Sequence, residues 1–203
     1  MSDMPQTISM YSRQFGATIA ALNENWNGKP LFAGERQGVG PIRVKTLDQL
    51  LIATGSDPFI IPVPGHDLPG VVTFRDLDDV DRMLAAADAG GSAVVIGGGL
   101  LGLEAAHGLA LRGMAVTVVH LMPTLMERQL DEAAGFLLKS ELERRGQTIV
   151  TGGDTAEILG TDGHVSGVRL KDGREFAADI VVMAVGIRPA TALAKAAGLA
   201  VER

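Results

Sequence analysis

The sequence predicts an α/β fold built on a parallel sheet, and three observations lead to this prediction. Short apolar runs recur along the chain at Ala93–Ile96, Ala115–Val119 and Ile180–Val185. Segments whose apolar residues recur at helical spacing separate these runs. A glycine-rich turn, Gly97–Gly102, connects the first run to a helical segment. Because buried parallel strands are apolar throughout and helices cross between them, this alternation indicates a βαβαβ unit.

The glycine-rich turn has glycines at its first, third and sixth positions, after a strand and before a helix. In this context the first glycine permits a sharp turn, the second lets a pyrophosphate approach the backbone, and the third allows close helix–sheet packing. The N–H groups that begin the helix would face the phosphates. A turn that only packs a strand against a helix is the alternative. We therefore expect a Rossmann-like nucleotide-binding domain whose cofactor contacts Gly97, Gly98, Gly99, Leu100, Leu101 and Gly102.

The remaining elements follow from local patterns. Four prolines between Pro58 and Pro69 predict an extended crossover over 57–70. The predicted helices are Tyr11–Leu22, Thr73–Ala89, Leu103–Arg112, Asp131–Arg145 and Ala192–Ala197. The other predicted strands are Leu50–Ala53, Ile149–Val150, Ala156–Leu159, Val165–Leu170 and Glu175–Ala177. Asp-Gly turns join the last three strands, which indicates an antiparallel β-meander inserted before the final parallel strand.

Composition excludes several kinds of site. The 203 residues contain no cysteine, which excludes a redox dithiol, a thiolate-bound iron–sulfur cluster and a cysteine zinc site within this chain. His66, His107 and His164 have no partners at ligand spacing, so no metal site is expected. The net charge of −6 and the absence of a basic patch give no indication of nucleic-acid binding. Without a long apolar run or an export signal, we expect no membrane span and a cytoplasmic location.

Three motifs in order carry a resemblance to a known family. Ala53–Ser56, Gly97–Glu104 and Ala184–Pro189 together resemble the FAD-dependent pyridine-nucleotide oxidoreductases. Within that family, Leu50–Glu202 is most similar to the large subunits of NAD(P)H-dependent assimilatory nitrite reductases, most specifically along Val116–Asp131. The resemblance implies that an NAD(P)H-binding domain is inserted into an FAD domain. It further implies cofactor contacts, with Thr54 and Gly55 near the flavin, Gly186 near the nicotinamide side, and Glu104 at the nicotinamide–flavin contact.

This resemblance also implies a domain organisation. The expected segments are an unassigned, poorly ordered or divergent region 1–46, an FAD-domain strand and crossover 47–72, the NAD(P)H-binding domain 73–185, and a return to the FAD domain 186–203. Residues 1–46 lack the glycine motif that opens the family's FAD domain, so we expect most of the flavin site to be missing. Electrons would pass to a sirohaem and iron–sulfur half, or to a separate acceptor protein, outside this chain. A homodimer is left open.

His120 occupies a position that bears on the choice of nicotinamide cofactor. It ends the second apolar run, 18 residues after Gly102, where an acidic residue usually accepts the adenosine ribose hydroxyls of NAD. Histidine does not repel a 2′-phosphate, and Arg128 would assist a phosphate if its loop folded back. The hypothesis is tolerance of NADPH. The alternative is a surface histidine without a ligand.

Three functions are consistent with these motifs. The first is the NAD(P)H-binding portion of a nitrite reductase-type flavoprotein, which passes hydride from NAD(P)H to FAD. The second is a ferredoxin- or rubredoxin-reductase-like flavoprotein, and the third is a non-catalytic nucleotide-binding remnant. Because the cofactors hold the reacting atoms in hydride transfer, no catalytic side chain is expected in this chain.

Overall fold

The computed structural model describes the backbone of residues 7–8, 18–22, 42–43 and 49–202 and the side chains of 52–202. The described strands are β1 (Thr7–Ile8), β2 (Thr18–Leu22), β3 (Ile42–Arg43), β4 (Gln49–Ala53), β5 (Ser56–Pro58), β6 (Val71–Thr73), β7 (Ser92–Ile96), β8 (Ala115–His120), β9 (Thr148–Thr151), β10 (Thr155–Thr161), β11 (His164–Leu170), β12 (Glu175–Ala177), β13 (Ile180–Met183) and β14 (Ile187–Pro189). The described helices are α1 (Leu77–Ala89), α2 (Leu100–Leu111), α3 (Glu132–Arg144) and α4 (Ala192–Ala196). None of these helices combines the length and apolar composition that a membrane span needs.

The chain divides into two compact units. The larger unit is Pro58–Arg188, and the smaller combines Met1–Asp57 with Pro189–Arg203. In the smaller unit, β2 pairs antiparallel with β4, and β1 pairs antiparallel with β3. The helix predicted for Tyr11–Leu22 is therefore wrong at Thr18–Leu22, because these residues pair with another strand. The rest of that prediction, Tyr11–Ala17, lies outside the described residues.

A five-stranded parallel sheet forms the centre of the larger unit. Its spatial order is β6-β13-β7-β8-β9. The inner strands bury residues on both faces, and Val94, Val95, Val181 and Val182 have no exposed surface. The three helices α1, α2 and α3 contribute to the core on one face, while the meander and the proline-rich crossover cover the other. The predicted α/β fold with a parallel sheet is confirmed.

The meander has the predicted three strands, in the order β10-β11-β12, all antiparallel. It is held against the crossover by two backbone hydrogen bonds, from Ile158 N to Pro64 O (2.9 Å) and from Val165 N to Pro69 O (2.9 Å). The extended crossover predicted over 57–70 is wrong in its second half, where residues 64–70 form turns closed by hydrogen bonds from His66 N to Val63 O and from Leu68 N to Gly65 O. The carbonyl groups of Pro64 and Pro69 in these turns accept the hydrogen bonds from the meander. The two segments therefore form one layer on the sheet.

Two helices begin three or four residues away from the starts that the sequence predicts. The helix predicted from Thr73 begins at Leu77, because Val71–Thr73 forms an edge strand that pairs with β13. Asp76 caps this helix by accepting a hydrogen bond from Asp79 N (3.0 Å). The helix predicted from Leu103 begins at Leu100, within the Gly97–Gly102 segment. The start of that helix belongs to the candidate site.

The loop that precedes α1 is fixed by a buried carboxylate. Asp79 Oδ2 accepts hydrogen bonds from Thr73 Oγ1 (2.7 Å) and from the backbone N–H of Arg75 (2.9 Å). The Asp79 side chain is 8% exposed. A buried carboxylate with two donors stabilises the strand-to-helix connection, and its removal would leave both donors without that acceptor.

Candidate nucleotide-binding site

The glycine turn, Gly97–Gly102, joins the end of β7 to the first residues of α2 and is connected to its surroundings by backbone hydrogen bonds. Gly97 N donates to Val119 O at 2.8 Å, which links the turn to the neighbouring strand β8. Gly98 O accepts from Met126 N at 3.0 Å, which links it to the loop after β8. The turn is therefore part of the packed core.

Three glycines of the turn are required by packing. A Cβ placed on Gly97 would overlap the carbonyl oxygen of Ala184 and lie 2.8 Å from its carbonyl carbon, and Gly97 has a φ of +121°. A Cβ on Gly98 would lie 2.6 Å from Leu125 Cδ2. A Cβ on Gly102 would overlap the carbonyl oxygen of Gly97 and lie 2.9 Å from its carbonyl carbon. These contacts explain why the turn needs glycine without invoking a ligand.

Gly99 differs from the other three. Its φ of −87° is accessible to any residue, and a Cβ placed on it would meet no atom within 4 Å. Packing and backbone conformation therefore do not require glycine at this position. A side chain here would project into open space directly before α2. The absence of a side chain at Gly99 therefore leaves room for a nucleotide next to the backbone.

The start of α2 offers backbone donors to an anion. Gly99 is the N-cap residue and makes no side-chain capping hydrogen bond. The first N–H groups of a helix have no acceptor within the helix, and they carry the positive end of its dipole. At α2 these donors belong to Leu100, Leu101 and Gly102, and the two leucine side chains are exposed. An anionic group at this end would accept hydrogen bonds from these backbone N–H groups.

His120 is buried beneath the turn and is 8% exposed. Its Nδ1 accepts a hydrogen bond from the backbone N–H of Gly98 at 3.0 Å, so Nδ1 carries no proton. Its Nε2 lies 3.0 Å from Glu127 Oε2. The imidazole thus faces a backbone donor with one ring nitrogen and a carboxylate with the other. His120 therefore connects the turn to Glu127.

The other expected cofactor residues are distributed between the two units. Arg128 and Glu104 are exposed in the larger unit, on the loop after β8 and on α2 respectively. Gly186 lies two residues after Ala184, and its carbonyl accepts from Phe59 N at 2.9 Å.

Thr54 and Gly55 belong to the smaller unit. Thr54 Oγ1 donates to Ala190 O at 2.5 Å, and Ala190 N donates to Gly55 O at 2.9 Å. The structure thus brings the glycine turn and His120 together. The cofactor roles of all these residues stay predictions.

Glu127 was not among the expected site residues. The sequence signal for it was weak, because Glu127 lies seven residues after His120, in a segment without helical or strand periodicity. The loop reaches the site because Met126 adopts a φ of +52° and bonds to the glycine turn. Among residues 52–202, no group of three histidines and carboxylates is arranged to hold a metal ion.

Comparison with known proteins identifies relatives of the chain. The sequence pattern of the pyridine nucleotide-disulphide oxidoreductases matches residues 21–203. An NAD(P)H nitrite reductase from Bacillus subtilis is 56% identical over 161 residues, which are 79% of this chain and 20% of that protein. An assimilatory nitrate reductase electron transfer subunit from the same organism is 42% identical over 198 residues, 91% of this chain and 26% of that protein. A ferredoxin reductase from Rhodopseudomonas palustris has a TM-score of 0.70 at 32% identity, over 73% of this chain and 37% of that one.

Two facts about these matches refine the sequence interpretation. The family match begins at residue 21, upstream of Leu50, so the resemblance includes part of the region that the sequence interpretation left unassigned. The chain spans between a fifth and about a quarter of the length of the two curated relatives. The resemblance drawn from the three motifs is confirmed: the chain belongs to the pyridine nucleotide-disulphide oxidoreductase family.

Proposed function

We propose that this chain binds NAD(P)H at the Gly97–Gly102 turn and serves as the electron-input portion of a flavoprotein reductase of the nitrite reductase type. The observation that supports it best is the open space in front of Gly99, at a helix start with no side-chain cap. Pyrophosphate fits this arrangement because the N–H groups of the first turn of α2 donate to its oxygens. The family match and the identity to an NAD(P)H nitrite reductase support the same cofactor.

The bound nicotinamide would supply a hydride, and FAD would accept it. The protein's part in such a reaction is to fix the distance and angle between the two rings and to exclude water. By resemblance, Glu104 and Gly186 lie toward the nicotinamide, and Thr54 and Gly55 toward the flavin. The acceptor of the electrons would be a sirohaem and iron–sulfur half or a separate protein outside this chain, and we propose a cytoplasmic location.

A ferredoxin-reductase-like role is the second candidate, and the structural similarity to the Rhodopseudomonas ferredoxin reductase favours it. The two candidates share the nucleotide site and differ in the electron acceptor. Reduction of ferredoxin by NADH in the presence of this chain and added FAD would favour the second candidate. A visible spectrum without flavin, together with no NAD(P)H oxidation when FAD is added, would favour a nucleotide-binding remnant.

The nucleotide site can be tested with a pair of glycine variants in the same helical segment. Gly99→Ala would place a methyl group in the open space before α2, whereas Gly108→Ala adds a methyl group at an exposed position of α2 with no atom within 4 Å. We expect Gly99→Ala to weaken NADH and NADPH binding at least about tenfold, because the pyrophosphate loses its close approach to the backbone.

Fluorescence titration of each nucleotide measures this loss, and thermal unfolding serves as the control for folding. The free energy of unfolding of Gly99→Ala should lie within about 1 kcal/mol of the wild-type value, because the one expected loss is that alanine caps a helix less well than glycine. Gly108→Ala should bind both nucleotides normally. Wild-type affinity in Gly99→Ala would refute the assignment of the turn.

A further inference from the structure

The residue at the end of β8 differs from the one that a nucleotide site of this kind ordinarily has there. At this place in a Rossmann unit, a carboxylate ordinarily accepts the ribose hydroxyls of NAD. Here the residue is His120, and both of its ring nitrogens already have partners, Gly98 and Glu127. Neither ring nitrogen of His120 is therefore available to the ribose. Another residue has to supply the acceptor for the ribose hydroxyls.

Glu127 brings a carboxylate to the same end of β8 from the following loop. Its Oε2 is 3.0 Å from His120 Nε2, so one imidazole ring separates this carboxylate from the backbone N–H of Gly98. The Glu127 side chain is 31% exposed, which leaves part of the carboxylate accessible to a ligand. The acid is missing from the strand, and a loop residue supplies it.

The backbone around Glu127 is anchored to the glycine turn. Met126 N donates to Gly98 O at 3.0 Å, and the buried Leu125 side chain packs directly against Gly98. Two adjacent residues therefore hold the loop in register with the turn, and His120 holds the Glu127 side chain. Such double anchoring limits how far the carboxylate can move when a nucleotide occupies the turn.

The carboxylate is ionised at neutral pH. Burial alone would raise the pKa of the Glu127 carboxyl, but hydrogen bonds from its own backbone N–H and from His120, together with the electrostatic effects of His120 and then Arg128, lower that pKa below its usual value. Arg128 itself is exposed. The site thus presents a fixed negative charge close to the turn and a positive charge farther into solvent.

We propose that Glu127 is the residue that determines cofactor specificity in this chain: its carboxylate accepts the adenosine ribose hydroxyls of NADH and repels the 2′-phosphate of NADPH. His120 is its positioning residue. This inference rests on the proposed function, because it requires that a nicotinamide dinucleotide binds at Gly97–Gly102. It replaces the NADPH tolerance that the histidine alone suggests with a preference for NADH.

Binding measurements on the full chain test this proposal. Dissociation constants for NADH and NADPH are measured by fluorescence titration for the wild type, Glu127→Gln, His120→Ala and Arg128→Gln. Glu143→Gln is the charge-matched control, since Glu143 lies on the last turns of α3. We expect the wild type to bind NADH at least about tenfold more tightly than NADPH, because like charges at close range are strongly unfavourable.

The variants fall into two groups by their expected effect on the ratio of the two dissociation constants. Glu127→Gln should bring the ratio of the two constants close to one, mainly through tighter NADPH binding. His120→Ala should move the ratio in the same direction, which a merely structural role would not do. Raising the ionic strength from about 0.02 M to about 0.5 M should shrink the wild-type ratio, since salt screens the repulsion, and should leave Glu127→Gln unchanged. Arg128→Gln and Glu143→Gln should retain the wild-type preference.

Three results would overturn the proposal. An unchanged ratio in Glu127→Gln shows that the carboxylate does not face the ribose. A wild-type preference for NADPH that Arg128→Gln abolishes assigns specificity to the arginine. Binding of neither nucleotide by any variant overturns the proposed function itself, and this outcome is distinguishable from the first two because no ratio is then measurable.

Discussion

Gly97→Ala tests whether the first glycine of the turn is required for folding, independently of any ligand. The residue has a φ of +121°, and an added Cβ would overlap the carbonyl group of Ala184. The unfavourable backbone conformation costs about 1–3 kcal/mol. Overpacking against a core backbone group costs about 1–3 kcal/mol more. We therefore expect the free energy of unfolding to fall by about 2–6 kcal/mol, a large part of the ~5–15 kcal/mol typical of a domain.

Urea unfolding followed by far-ultraviolet circular dichroism measures this loss. The midpoint should fall while the m-value stays constant, which shows that stability changed and compactness did not. Gly108→Ala is the matched control, because its added methyl group is exposed on a helix. It should stabilise the protein by about 0.5–1 kcal/mol through better helix propensity. If Gly97→Ala unfolds at the wild-type urea concentration, the reasoning about the turn is wrong.

Three further outcomes follow from the described side chains. Asp79→Ala should lower the free energy of unfolding by about 1–3 kcal/mol, because it removes the buried acceptor of Thr73 Oγ1 and of the Arg75 backbone N–H; urea unfolding of the variant measures this. Leu125→Ala should cost about 2–5 kcal/mol and also weaken NADH binding, since Leu125 is buried against the glycine turn; unfolding and fluorescence titration test both effects. Hydrogen bonds from Arg144 and Arg145 lower the pKa of Glu141 from 4.5 to about 2. The contribution of Glu141 to stability should therefore be complete above pH 4.5 and be lost as the pH falls through about 2. A carboxyl NMR titration with a midpoint near 4.5 would contradict this.

The sequence predicts those parts of the fold whose signals are local. The glycine turn, the Asp-Gly turns of the meander and the apolar strands each leave a pattern within a few neighbouring residues, and the structure confirms these elements. The edge strand Val71–Thr73 leaves no such pattern. Its three residues become a strand only because they pair with Val181–Met183, more than a hundred positions later in the chain. Pairing over that distance has no local signature.

The same limit applies to the candidate site. The glycine spacing predicts the strand–turn–helix connection because it is a local pattern, whereas the contacts that require Gly97 and Gly98 come from Ala184 and Leu125, in other segments of the chain. The environment of His120 depends on the loop after β8, which folds back through a positive φ at Met126, an uncommon conformation for a residue other than glycine. The sequence could therefore identify the histidine as unusual at its position but could not predict its contact with Glu127.

The position of β13 in the sheet has a consequence for biosynthesis. This strand is the last of the five in sequence, yet it lies between β6 and β7. As the chain leaves the ribosome, β7, β8 and β9 can pair in the order of their synthesis, while β6 has no partner until Ile180–Met183 emerges. Until then the facing edges of β6 and β7 stay unpaired, a state that invites association with other chains. The five-stranded sheet is therefore complete only when a strand is inserted between two others already made.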